Sequence, residues 1–136
     1  MFQAYNVTST IYAQNAPIIF PTVKFSDCRV RITNSNTITI GAPGRYLISF
    51  NGTASSTQAT SPFEVKLYQN GSALEETASV VTSVAANDEG TLSFTTIVNV
   101  MPSCNCAQNS ITLQVIATAT NSGTVSNSNL VIYRLK

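Results

Sequence analysis

Apolar residues recur along this chain in short runs of period two, and no stretch sustains an apolar period of 3.6. Clusters of Gly, Pro, Asn and Ser interrupt the runs at the spacing expected of an all-β sandwich. Ten strands are predicted, at 3–12, 18–25, 28–32, 37–40, 45–54, 63–69, 74–84, 91–100, 110–119 and 129–135. The turns between them are well marked. Gly41-Ala-Pro-Gly44 precedes one strand, Asn70-Gly71 is a two-residue hairpin signal, and Asn87-Asp-Glu-Gly90 and Asn121-Ser-Gly123 close two others. No internal repeat, linker or domain boundary interrupts the pattern, so residues 1–136 read as one domain, with 1–37 supplying N-terminal strands that could serve anchoring.

The strands fall into two types. In 63–69, Phe63, Val65 and Leu67 alternate with Glu64, Lys66 and Tyr68. In 110–119, Ile111, Leu113, Val115 and Ala117 alternate with Thr112, Gln114 and Thr118. Such strands cover a core on one face and meet water on the other. The run 129–135 is apolar on both faces, through Leu130, Val131, Ile132, Tyr133 and Leu135. The run 45–50 matches it with Tyr46, Leu47, Ile48 and Phe50, and 91–101 does so in part, with Leu92, Phe94, Val98 and Val100 against Ile97 and Met101. A strand apolar on both faces needs a second cover. In a short chain without helices, that cover is expected to be another copy of the chain. Scattered surface hydrophobes are the competing explanation.

Composition supports the β reading. Charged residues make up 10 % of the chain and hydrophobic ones 43 %, while Asn, Ser and Thr contribute 47 of 136 residues. These uncharged polar residues favour strands and turns over helices. A net charge of +1, from seven basic and six acidic residues, gives no pull toward nucleic acid or an anionic membrane. No segment approaches the ~18 apolar residues that span a bilayer, and Met1–Tyr12 lacks the basic start and apolar stretch of a secretion signal. The chain is therefore expected to be made in the cytosol or to leave by a route its sequence does not show. Three N-x-[ST] sequons, at Asn6, Asn51 and Asn70, are what chance gives in so Asn-, Ser- and Thr-rich a chain.

The segment Pro43-Gly44-Arg45-Tyr46-Leu47-Ile48-Ser49-Phe50-Asn51 resembles the G-x-Y-x-x-x-F strand of the complement component 1q / tumour necrosis factor-like superfamily. Val65-Lys66-Leu67-Tyr68-Gln69-Asn70-Gly71 is similar to its next strand and hairpin, and 110–115 and 129–135 resemble its last two strands. The likeness is to the bacterial and phage branch and covers roughly residues 38–136. It implies a ten-stranded antiparallel jelly-roll sandwich that assembles as a homotrimer, with the G-x-Y strand and the last strand in the sheet facing the threefold axis. Tyr46, Ile48, Phe50, Phe94, Leu130, Ile132, Tyr133 and Leu135 are the candidates for that interface or for the core. Ile132 and Tyr133 lie on opposite faces, so one packs in the sandwich and the other near the axis. Residues 1–37 carry neither the collagen-like repeat nor the heptads that often precede such a head. The family's axial calcium has no supporting acidic cluster here, where only Glu75-Glu76 and Asp88-Glu89 are adjacent.

Catalytic chemistry is hard to place on this sequence. With no His, Ser-His-Asp, Cys-His and His-metal arrangements are excluded. Adjacent Asp88 and Glu89 would point to opposite faces of a strand and fit a solvated turn better. Cys28, Cys104 and Cys106 are an odd count, read as free thiols. A Cys28 bridge to either partner, or an inter-chain contact through the Cys104-Asn-Cys106 tip, stays open. Tyr5, Tyr12, Tyr68 and Tyr133 could line a sugar platform, although packing is the commoner use. The expectation is a non-enzymatic virion protein without cofactor: a phage capsid decoration or fibre head, made in the host cytoplasm. Its partners would be its own copies and other virion proteins, with no nucleic acid or membrane. The alternative is a bacterial surface or spore-coat head binding glycans or proteins.

Overall fold

The computed structural model describes residues 1–101 and 110–135. The Cys104-Asn-Cys106 tip, and with it either Cys28 bridge, lies outside them. Among the described residues eleven strands are found: β1 Phe2–Asn6, β2 Thr10–Tyr12, β3 Thr22–Phe25, β4 Val30–Thr33, β5 Thr37–Ile40, β6 Gly44–Ser56, β7 Pro62–Gln69, β8 Ser72–Thr82, β9 Glu89–Val100, β10 Ile111–Ala117 and β11 Gly123–Leu135. There is no helix among the described residues.

All named strand pairs are antiparallel and form two sheets. The first runs β3-β1-β11-β6-β9, with β2 also on β11; the second runs β4-β5-β10-β7-β8. The chain changes sheet between β3 and β4, between β5 and β6, between β6 and β7, between β8 and β9, and on either side of β10. The two strand types separate accordingly. β7 and β10, polar on one face, are neighbours in the second sheet, and β6, β9 and β11, apolar on both, are neighbours in the first.

The strand count of eleven rather than ten has a local cause. The predicted run 3–12 breaks after Asn6, whose side-chain Oδ1 accepts the Thr8 amide at 2.9 Å, an Asx turn that competes with the ladder. The run 18–25 is also shorter, because Pro21 has no amide to give a sheet. Residues before it still join the second sheet: the Ile18 amide donates to Val115 O at 2.7 Å and the Ala117 amide to Ala16 O at 3.0 Å. The last strand begins at Gly123 rather than 129, with a bulge between Val125 and Asn127 that absorbs the extra residue. The Asn70-Gly71 hairpin is as expected, with both residues at positive φ (52° and 83°) between paired Gln69 and Ser72. Among the described residues, four of the six non-glycine residues at positive φ are Asn, which accounts for part of the Asn-rich composition.

One continuous core fills the space between the sheets. Phe50 stacks on Phe94 with ring centres 5.2 Å apart and meets the edge of Phe20 at 6.2 Å. Tyr46, fully buried, satisfies its hydroxyl by donating to Ala42 O at 2.8 Å. Buried Ser and Thr mend the places where ladders fail. At the bulge between Val65 and Leu67, Thr77 Oγ1 accepts the Leu67 amide at 2.8 Å and donates to Leu74 O at 2.6 Å. At the seam between β8 and β9, Ser79 Oγ accepts the Ser93 amide at 2.9 Å, and just past β8 Ser83 Oγ accepts the amide of Ser56, the last residue of β6, at 3.0 Å. Thr77→Val keeps the volume and strands a buried amide. It is expected to cost about 1–3 kcal/mol, read as a lower urea midpoint with unchanged slope.

Candidate interaction surface

β6, β9 and β11 turn one set of side chains into the core and the other away from it. Tyr46, Ile48, Phe50, Phe94, Leu130 and Ile132 are the inward set, all 7 % exposed or less. These six sequence candidates therefore line the sandwich interior and are unavailable to a second chain. The remaining two point outward: Tyr133 is 53 % exposed, and Leu135 is half-buried.

The outward set forms a contiguous apolar cluster across three strands. Leu47 sits directly opposite Ile97 on β9 and opposite Tyr133 on β11. Val131 lies two residues before Tyr133 on the same face and pairs with Gln3 of β1, which in turn pairs with Phe25 of β3. Ile97 and Phe25 are 55 % and 44 % exposed. Farther along the sheet the same face becomes polar, with Ser49, Asn51, Ser93 and Asn129; Gln3 Nε2 donates to Asn129 Oδ1 at 2.8 Å. Phe25 was not among the sequence candidates. It stands on a four-residue edge strand that is exposed throughout, so no alternation marked its face.

The outer face of the second sheet is built differently. Lys66 Nζ reaches Glu75 Oε2 at 2.7 Å and Glu64 Oε1 at 3.9 Å, and Thr118 Oγ1 donates to Glu64 Oε1 at 2.6 Å. Pairing with Glu75 holds the Lys66 ammonium above the usual lysine range. Asn70 Oδ1 accepts the Thr112 amide at 2.9 Å. This face is mainly polar and internally bonded, with Val80 an exposed apolar residue on it, as expected of a sheet that meets water.

The other sequence candidates do not converge. Tyr12 is buried, its hydroxyl accepting the Ile19 amide at 3.2 Å. Tyr68 and Tyr5 stand on different sheets, and Tyr5 pairs with Asn129, four residues from Tyr133. Asp88 holds its turn, with Oδ2 accepting the Ala85 amide at 3.0 Å. Cys28 is exposed and free. Among the described residues no group of three or more His, Cys, Asp or Glu is placed to hold a metal ion.

No protein-family model matches the sequence, and no curated protein matches it. The folded chain does resemble solved structures. Eiger, a tumour necrosis factor from S. frugiperda, aligns with 99 % of this chain and 93 % of its own at a TM-score of 0.75 and 12 % identity. The globular domain of zebrafish complement 1qA aligns with 98 % of each chain at 0.65 and 11 % identity. PRD1 vertex protein P5 aligns with 99 % of this chain and 96 % of its own at 0.59 and 15 % identity. Two facing antiparallel sheets in this strand order, matched end to end by these structures, give the chain the complement component 1q / tumour necrosis factor-like jelly-roll fold.

Proposed function

We propose that this chain is a non-enzymatic structural head of a phage particle, a homotrimer that packs through the outer face of its first sheet and projects from the capsid or tail. The observation that carries the reading is the apolar cluster of Leu47, Ile97, Val131, Tyr133 and Leu135 on the outer face of the first sheet. Each such side chain gains about 1.5–3 kcal/mol when fully removed from water. A contiguous set of them marks a contact surface. A self-complementary cover explains why the outward set spans three adjacent strands and stops where Asn51 and Asn129 begin. The resemblance to a vertex protein supports the particle setting. The absence of His from the sequence removes the commonest hydrolytic constellations.

Electron microscopy of the native particle, with an antibody to this chain, tests the setting. Threefold knobs on the capsid or tail are expected. Label confined to a bacterial envelope or spore coat would replace this reading with that of a surface head.

A further inference from the structure

The chain contains two Asn-Gly steps, Asn51-Gly52 and Asn70-Gly71, and the fold holds them in opposite ways. In such a step the following amide nitrogen can approach the side-chain carboxamide, because glycine has no Cβ to bar it. Asn51 lies inside β6. It pairs with Asn129 of β11 and Ser93 of β9, and Gly52 pairs with Ser128 and Leu92. Turning the Gly52 nitrogen toward the Asn51 side chain would break ladders on both sides. A Cβ at Gly52 would also stand 2.6 Å from Asn127 O, so the backbone there is closely confined.

Asn70 and Gly71 are the exposed tip between β7 and β8. Nothing stands within 4 Å of the place a Gly71 Cβ would take. Among the described residues the Gly71 amide has no hydrogen-bond partner. Asn70, in contrast, is clamped to β10. Its amide donates to Thr112 O at 2.9 Å, and its Oδ1 accepts the Thr112 amide at 2.9 Å and the Thr112 hydroxyl at 3.4 Å. The clamp fixes the Asn70 amide and carboxamide but not its ψ, the torsion that swings Gly71 N toward Cγ. Only the Gln69–Ser72 pair closes the tip beyond it.

We infer that Asn70 is a site of self-modification, where the chain converts this asparagine to aspartate and isoaspartate through a succinimide. Gly71 N gives its proton to solvent base and bonds to Asn70 Cγ, and the carbonyl electron pair moves to Oδ1. The two Thr112 donors already face that oxygen, as stabilisation of an oxyanion requires. The pair then returns to carbon, the Cγ–Nδ2 bond breaks, and Nδ2 takes a proton and leaves as ammonia. Water opens the ring at either carbonyl. Attack at Cγ leaves an aspartate; attack at the Asn70 carbonyl carbon leaves the backbone running through the side chain. Each conversion exchanges an amide for a carboxylate and takes the formal charge of the chain from +1 to zero. The isoaspartate form also lengthens the tip by a methylene, which a two-residue hairpin turn does not accommodate. The inference is independent of where the protein sits and of how it assembles.

The test follows the amide-to-acid mass gain by peptide mapping of the full chain, incubated at mildly alkaline pH both folded and in guanidinium chloride. In denaturant both Asn-Gly steps should convert. In the folded chain Asn70 should convert at least as fast as in denaturant, and Asn51 about tenfold more slowly or less, since its strand must first open. Thr112→Val removes the hydroxyl donor and keeps the amide. It should slow Asn70 about threefold, with circular dichroism unchanged. Slower conversion of Asn70 in the folded chain than in denaturant would show that the hairpin protects it, and overturns the inference. So does conversion of Asn51 in step with Asn70 in the folded chain, or an unchanged rate with Thr112→Val.

Discussion

Ile132→Asp is expected to abolish the fold, and Tyr133→Asp is expected to abolish only the assembly. The two residues are neighbours on β11 and differ in the side to which the pleat sends them. Ile132 is 1 % exposed and lies between Phe2 on β1 and Ile48 on β6, both buried. An aspartate there loses the apolar contacts, at about 2–5 kcal/mol for truncation of a buried Ile, and adds a carboxylate with no partner. Domains of this size have about 5–15 kcal/mol to lose. The variant should therefore be unfolded or insoluble. Tyr133 faces outward beside Leu47, where an aspartate in a single chain meets water. In a trimer it would place like charges and an unpaired carboxylate in an apolar contact. Circular dichroism should show β structure for Tyr133→Asp, with the mass of one chain. A trimeric Tyr133→Asp with unchanged melting would show that the outer face makes no contact.

The second large effect is expected at Gly123. A Cβ built on this residue would stand 2.3 Å from the ring of Phe63, which is itself fully buried on β7. Gly123 opens β11 opposite Ser56 and Tyr12 on its two neighbouring strands. It is the place where the two sheets come close enough that a ring takes the space of a side chain. Gly123→Val must push Phe63 out of a packed core or shift the start of β11, and overpacking of this kind costs about 1–3 kcal/mol or more. Its melting temperature should fall by at least several degrees. A Gly123→Val variant that melts with the parent would mean that this end of the sandwich is looser than its packing. Gly41, with open space where its Cβ would stand, is the matched control, and Gly41→Ala should be neutral.

Much of the architecture was legible because period-two alternation is a direct readout of a pleated sheet. Phe63/Val65/Leu67 against Glu64/Lys66/Tyr68 assigned one wet sheet, and the doubly apolar runs grouped β6, β9 and β11 before their pairing was known. The sequence was less clear about which apolar face was the interior. Parity separates Tyr46, Ile48 and Phe50 from Leu47, Ser49 and Asn51, but naming candidates by hydrophobicity alone merged core and surface into one set. The distinguishing signal was present in the continuation of each face. The inward parity stays apolar through Phe50, whereas the outward one reaches Ser49 and Asn51. Polar neighbours on one parity mark the side that water or a partner can reach.

Other features could not be read from local sequence. The Asx turn at Asn6 and the bulge before Asn127 depend on where side-chain groups find partners, so the first strand was drawn too long and the last too short. Ile18 and Phe20 are core residues from a segment that pairs only briefly with β10, a contact across nearly a hundred residues of sequence.

The central claim is that the outer face of the first sheet is covered by two further copies of the chain. Light scattering on the purified protein at micromolar concentration tests it most directly. The account requires the mass of three chains of 14.5 kDa each. A particle of one chain's mass, stable on further concentration, would contradict it and leave Leu47, Ile97 and Tyr133 as ordinary surface residues.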